Sequence, residues 1–350
     1  MMMKAKYLST SDLAKKTGTS RQVISAIINE SWKEKRISQA TYERIRKAMD
    51  DLGFVPNRTA ISLRKKKEAR VGLLCHGPLY SHTSTALEKL NHYFLDSEKS
   101  VEIHMSGSGG LGHAIREMMG HRVDNIIILL SPMLPNFGEN DLQDNSLIRL
   151  LRAVPHFIYN FPFHVHPKEV ADSLINCGSH LIGFSRAKAY VPFMEHLLDK
   201  KINRVLIDEK IFSLINKSTE TKRMCARIGE INTYPNPQGG NLEVNPFILG
   251  TKVANDLLSD IKRNNYDYIV TSSDGIAQGM AHVLTKHNVK VPDDLKILGF
   301  DKIDSMDFHH FPTSTIEVPV GDMISTLISL LENPLRINKS HICETKLHLH

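Results

Sequence analysis

The stretch Ser9-Thr10-Ser11-Asp12-Leu13-Ala14-Lys15-Lys16-Thr17-Gly18-Thr19-Ser20-Arg21-Gln22-Val23-Ile24-Ser25-Ala26-Ile27-Ile28-Asn29 reads as two short helices with a turn between them. Ser9 to Asp12 offer side-chain oxygens that can cap a helix whose apolar pattern begins at Leu13 and Ala14. Thr17-Gly18-Thr19 breaks that helix, because Gly18 can take the positive φ of a tight turn. Ser20 then caps a second helix from Arg21 to Asn29. Val23, Ile24, Ile27 and Ile28 recur at helical spacing and form its buried stripe. Arg21, Gln22, Ser25 and Ala26 fall largely on the opposite face. Such a pair is a helix-turn-helix unit, whose second helix enters the DNA major groove by its N-terminus.

Working outward, a third helix is expected from Gln39 to Leu52. Ile45, Ala48, Met49 and Leu52 make its inner face, while Arg44, Arg46 and Lys47 point away. Gly53 stops it. Charge supports the same reading. Residues 1–70 carry 17 Lys+Arg and 7 Asp+Glu, a net of +10 against +6 for all 350 residues. The rest is mildly acidic, so the basic charge is concentrated where a polyanion would be met.

From Val71 onward short apolar strands alternate with helices. Strands are expected at 71–75, 101–105, 125–130, 156–159, 181–184, 204–207, 268–271 and 296–300. That alternation implies parallel sheets with helices on both faces. The basic N-terminal segment is not followed by an apolar stretch, and no apolar run reaches the length of a membrane helix. The four cysteines, Cys75, Cys177, Cys225 and Cys343, are far apart in sequence. Their spacing fits free thiols in a reducing cytoplasm rather than a disulfide framework or a zinc site.

The head is similar to that of the LacI/GalR family of bacterial transcription regulators. The likeness rests on Asp12-Leu13-Ala14, Gly18-Thr19-Ser20, Gln22-Val23-Ile24-Ser25, Asn29 and Ile45-Arg46-Lys47-Ala48-Met49. It continues through Leu52-Gly53-Phe54-Val55-Pro56-Asn57, Ala60 and Leu63. In the body it is carried by Ser273-Asp274-Gly275-Ile276-Ala277, Gly279, Val291-Pro292-Asp293-Asp294, Ile297-Leu298-Gly299-Phe300-Asp301 and Pro312-Thr313-Ser314-Thr315-Ile316. The resemblance implies an α/β fold class: an all-α helix-turn-helix headpiece on a periplasmic-binding-protein-like body of two Rossmann-like lobes. The expected domains are a head at 1–56 and a hinge helix and linker at 57–70. The first lobe is expected at 71–163 and 302–332, the second at 164–301 and 333–350.

The resemblance also implies a function. A homodimer would bind a pseudo-palindromic double-stranded DNA operator as a ligand-responsive repressor, with no enzymatic activity, cofactor or membrane. Ser20, Arg21, Gln22, Ser25 and Asn29 would contact DNA from the second helix. Asn57, Ala60 and Leu63 would act from the hinge, where Leu63 would wedge into the minor groove. Asp274, Ser185 and Asp301 would line an effector cleft for a sugar or related metabolite. Asp274 has an alternative reading as the N-cap of a helix from Gly275 onward, and Asp301 as a turn residue. The chain departs from the pattern at Ala26, where many members carry arginine, and in about three extra residues around Trp32. It also departs at Ser185 and Lys302, where acids are frequent, and Arg223 is displaced from the position of an effector-gripping arginine.

Two rival readings remain. Gly107-Ser108-Gly109-Gly110-Leu111-Gly112 has the spacing of a dinucleotide loop and suggests a nicotinamide-dependent dehydrogenase. It follows the second strand of the body rather than the first, and no acid for a ribose ends the next strand. The other rival is a ligand-binding protein with a vestigial head. His164 and His166, and His309 and His310, have no companions at metal-ligand spacing.

Overall fold

The computed structural model describes residues 8–52, 54, 69–77, 82–97, 99–106, 110–131, 145–163, 168–217, 219–235, 245–333 and 339–350. The chain divides into two compact units, residues 1–68 and 69–350.

In the first unit, α1 (Thr10–Thr17), α2 (Arg21–Ile28) and α3 (Gln39–Asp51) surround a small core. Each begins at a serine. Ser9, Ser20 and Ser38 accept from the backbone N–H of Asp12, Val23 and Thr41. Ser9 and Asp12 cap one another reciprocally, and the Ser9 hydroxyl holds the Asp12 carboxyl below its usual range. Gly18 closes α1 at φ 64°, the turn conformation its lack of a side chain allows. Leu13, Ile24, Ile27 and Ile45 are fully buried together, joined by Met49 and Phe54. Arg44 Nη1 donates to the Thr17 carbonyl at 2.7 Å, fastening α3 to the end of α1.

One expectation for this unit is corrected. Ala26 is buried rather than on the outer face of α2. The turn after the helix folds back over it, and Ser31 N–H donates to the Ala26 carbonyl at 2.9 Å. Trp32 stacks on Tyr42 with ring centroids 4.6 Å apart.

The second unit holds two parallel sheets. The first contains β1 (Arg70–His76), β2 (Ser100–Met105), β3 (Asn125–Leu130), β4 (His156–Pro162), β5 (His180–Phe184) and β11 (Ser340–Ile342), in the order β11-β5-β4-β3-β1-β2. The second contains β6 (Arg204–Asp208), β7 (Glu230–Tyr234), β8 (Tyr268–Val270) and β9 (Lys296–Leu298), ordered β7-β6-β8-β9. A small antiparallel pair, β10 (Thr315–Glu317) with β12 (Lys346–His348), completes the unit. β1 and β3 to β6 are buried almost throughout, as expected of strands covered on both faces.

The helices around the sheets are α4 (His82–Leu95), α5 (Gly110–Gly120), α6 (Asn145–Ala153), α7 (Lys168–Asn176), α8 (Arg186–Ala189), α9 (Val191–Asp199), α10 (Glu209–Ile215), α11 (Thr219–Cys225), α12 (Pro246–Asn264), α13 (Asp274–Lys286) and α14 (Val320–Glu332). α12 and α13 meet backbone to backbone. A Cβ on Gly279 would collide with the Phe247 carbonyl, and one on Gly250 with the Ile276 carbonyl. This gives Gly279, part of the body motif, a packing reason.

The expected lobe boundaries are corrected here. β5 pairs with β4 through Phe157↔His180 and Ile158↔Leu181, so the first sheet runs past 163 to Phe184. β11 pairs with β5 through Ser340↔Leu181, so residues 340–342 finish the first sheet rather than the second.

Candidate functional site

The head exposes the residues expected to meet DNA unevenly. Ser20, Arg21 and Gln22 are exposed at the capped start of α2, and no acidic residue occupies that first turn. A helix N-terminus carries partial positive charge, so this end suits phosphate and the electron-rich edges of bases. Ser25 is half-buried, and Asn29 Nδ2 donates to its Oγ at 3.2 Å. Those two side chains therefore hold each other across one helical turn. Asn57, Ala60 and Leu63 lie outside the described residues.

In the body, both sheets place their first strand between their second and third, so each has a switch point where the strand order reverses. Ligands of such sheets sit beyond the carboxyl ends of the strands near that point. The carboxyl ends of the two sheets face one another. Phe184 closes β5, Phe300 follows β9, and their rings stack at 6.0 Å.

Asp274 and Asp301 are brought close together. Asp274 opens α13 and is fully buried; Thr315 Oγ1 donates to its Oδ1 at 2.7 Å and Ile303 N–H to its Oδ2 at 3.0 Å. Gly299 lies so close that a Cβ there would strike the Asp274 carboxylate. Burial, and then the charge of Asp301, raise the Asp274 carboxyl to about 7. In this conformation Asp274 joins the segment after β9 to the strand β10.

Asp301 has φ 108°, a backbone conformation that non-glycine residues rarely take. Its Oδ1 lies 3.1 Å from Nδ1 of His82, at the start of α4, and the other His82 nitrogen is 3.2 Å from Asn160 Oδ1. A cavity of about 760 Å³ opens beside this contact, lined by His82, Asp301, Lys302, Glu317 and the Glu88 and Lys89 side of α4.

Ser185 stands apart from these acids, capping α8 through the Lys188 N–H. Its neighbour Arg186 reaches the cleft instead. It donates to the Ser272 carbonyl and lies 4.1 Å over the Phe300 ring. Arg223 is exposed on α11. Lys302 Nζ lies 3.5 Å from Asp307. Sequence reasoning thus missed His82, Asn160 and Arg186. Arg186 was legible as an arginine at the end of a strand, beside a position already singled out. His82 and Asn160 carried no spacing that would single them out.

The glycine-rich run opens α5 after β2, at the edge of the first sheet and away from its switch point; residues 107–109 lie outside the described residues. That placement does not favour a dinucleotide site. Among the described residues, no three His, Cys, Asp or Glu side chains are grouped to hold a metal ion. No described helix is long and apolar enough to cross a membrane.

Comparison with known proteins locates both units. Residues 10–57 match the sequence model for bacterial regulatory proteins of the lacI family, and residues 241–347 that of a periplasmic binding protein-like domain. The chain is 22% identical over 316 residues to the HTH-type transcriptional repressor PurR of Vibrio parahaemolyticus, spanning 88% of this chain and 86% of that one. It is 23% identical to the ribose operon repressor of Escherichia coli strain K12, spanning 97% and 96%. Among solved structures, the lac repressor dimer bound to operator and the anti-inducer ONPF superposes with a TM-score of 0.66 at 17% identity, covering 98% of both chains.

Proposed function

The chain carries the head of the lacI family of bacterial regulatory proteins on a periplasmic-binding-protein-like body, and from that premise we propose a ligand-responsive, sequence-specific DNA-binding transcription repressor. It acts as a dimer on a pseudo-palindromic operator and is not an enzyme. The observation that carries this reading is the exposed run Ser20-Arg21-Gln22 at the capped start of α2. Arginine matches guanine and glutamine matches adenine in the major groove, each good pair contributing about 1–3 kcal/mol of discrimination. Ser25 and Asn29 add contacts from the same helix. Asn57, Ala60 and Leu63 act from the hinge, where Leu63 opens the central base step. A cytoplasmic location agrees with four free cysteines.

The effector, a sugar or related metabolite, enters between the two sheets beside Asp301, with Arg186 and Ser185 at the end of β5 as further polar groups and Asp274 fixed behind by Thr315 and Ile303. Its binding changes the closure of the body. DNA and effector affinities are then coupled reciprocally, by about 1–3 kcal/mol.

Selection from a random duplex pool with the full-length protein tests the reading. The expected result is a two-fold symmetric motif. With Arg21→Ala the same selection loses preference at one position in each half-site. Absence of an enriched motif from folded protein would overturn the regulator reading, and a uniform loss of affinity with Arg21→Ala would make that residue a phosphate contact.

A further inference from the structure

His82 is 3% exposed, yet both of its ring nitrogens face oxygen acceptors. On one side is the Asp301 carboxylate. On the other is Asn160, whose Nδ2 donates to the Leu130 carbonyl at 2.9 Å. That bond fixes the amide, so its oxygen, which can only accept, is what meets His82 Nε2. A neutral imidazole has one N–H and can satisfy only one of these partners. The imidazolium satisfies both, and Asp301 balances its charge.

The contact is built into the backbone at both ends. β4 shifts register against β5 between Tyr159 and Phe161, and Asn160, between them, has φ 63°. Such a bulge re-aims a side chain out of its ladder. Asp301 holds its φ of 108° while its N–H donates to the Ile316 carbonyl. Two non-glycine residues in sparsely populated conformations, each meeting the same imidazole, mark a site where strain is tolerated for a use. His82 and Asn160 belong to the first sheet and its helices, and Asp301 follows the last strand of the second.

We infer that protonated His82 is a latch between the two halves of the body, so that proton concentration is itself a signal for closure. This rests on the regulator reading only for its effect on DNA. The groups around the ring are few. The Phe184 ring packs edge-on at 6.0 Å. Asp274 is near as well, its carboxyl raised to about 7 by burial and then by the charge of Asp301. On the cavity side are Glu88, Lys89 and His92 of α4, with Lys302, Asp304 and Glu317 opposite. Of these, Lys302 is paired with Asp307 and Glu317 with His348.

The test uses full-length protein with isotope-labelled histidine, the His82 ring being assigned by its loss in His82→Gln. Nitrogen spectra recorded over a pH series should show a form with both His82 nitrogens protonated at the acid end, giving way to a form with one proton at the alkaline end. Affinity for the selected operator should change about fivefold or more over the same range. His82→Gln should flatten that change. Asn160→Asp, which adds a second carboxylate, should extend the doubly protonated range upward. A ring carrying one proton throughout, or a titration unmoved by Asn160→Asp, would overturn the latch, whatever the DNA does. An operator response to pH that persists in His82→Gln would overturn its regulatory role. The ring spectra need no operator, so failure of the DNA selection would count against the regulator reading alone.

Discussion

Two buried side chains bind protons with opposite preferences, and together they shape the response of stability to pH. Asp274 has its carboxyl raised from 3.8 to about 7, so the folded state holds a proton that the unfolded state releases. Its contribution is present at low pH and is lost as pH rises through about 7. His156 has its ring lowered from 6.5 to about 4 by burial. Its Nδ1–H donates to the Val154 carbonyl and its Nε2 accepts from Ser179 Oγ, which fixes the neutral form. That contribution is present above 6.5 and is lost as pH falls towards 4. The two slopes oppose one another between about pH 4 and about pH 6.5. Thermal unfolding of Asp274→Asn across that window should show stability rising with pH more steeply than in the parent chain. The same substitution should also lower stability at every pH if the new amide nitrogen replaces the oxygen that accepts the Ile303 N–H. A parallel pH profile for variant and parent would exclude a raised carboxyl. That Asp274 follows a strand could be read from the sequence, but the capping role expected of it falls to Ser273, whose side chain accepts from the Ile276 N–H. The partners of Asp274 could not be read, because Thr315 and Ile303 come from a later crossing and no local pattern announces them. His82 and Asn160 were opaque for the same reason. A histidine after a strand has no periodicity, and a bulge is a property of the pairing rather than of one strand.

Among the elements, caps and stripes were legible and close approaches were not. Ser9 and Ser20 before their helices, and the stripe of Ile24 and Ile27, are local patterns that the fold obeys. Ala26 escaped the pattern: it is buried although it lies off that stripe, and its carbonyl takes a bond from Ser31 in the turn beyond the helix. Gly279 stands between these cases. Its motif was visible, but its role depends on the Phe247 carbonyl of another helix. Gly279→Val should force α12 and α13 apart and cost about 1–3 kcal/mol or more, measured by denaturant unfolding. If Gly279→Val is as stable as the parent, the helices do not meet along this line. The change is far in sequence from α2, so half-site base preference should survive it.

At the scale of the molecule, the alternation of strands and helices disclosed parallel sheets, while the lobe boundaries implied by the resemblance divide the strands differently from their pairing. Residues 180–184 and 340–342 both belong to the first sheet. Residues 180–184 look like any other short apolar strand, and Ser340-His341-Ile342 carries no apolar run at all, so only pairing decides which sheet receives them. α14 packs against β4, β5 and α4 of the first half as well. The first sheet is therefore begun by residue 70 and finished only after all four strands of the second. Neither sheet should then survive the loss of the other. Native-state hydrogen exchange is expected to open β3 and β8 with the same free energy. If β8 stays protected when β3 has exchanged, the halves unfold separately.

That return of the chain also has a consequence in time. Pairing Leu181 with Ser340 closes a very long loop, and the entropy of that closure is lost before the contact can reward it. A newly made first sheet must wait, with one flank of β5 unpaired, while the whole second sheet is laid down. An exposed strand flank can pair with another chain. The interval before residues 340–342 arrive is therefore when this protein is most open to misassembly, and refolding yield should fall steeply with concentration.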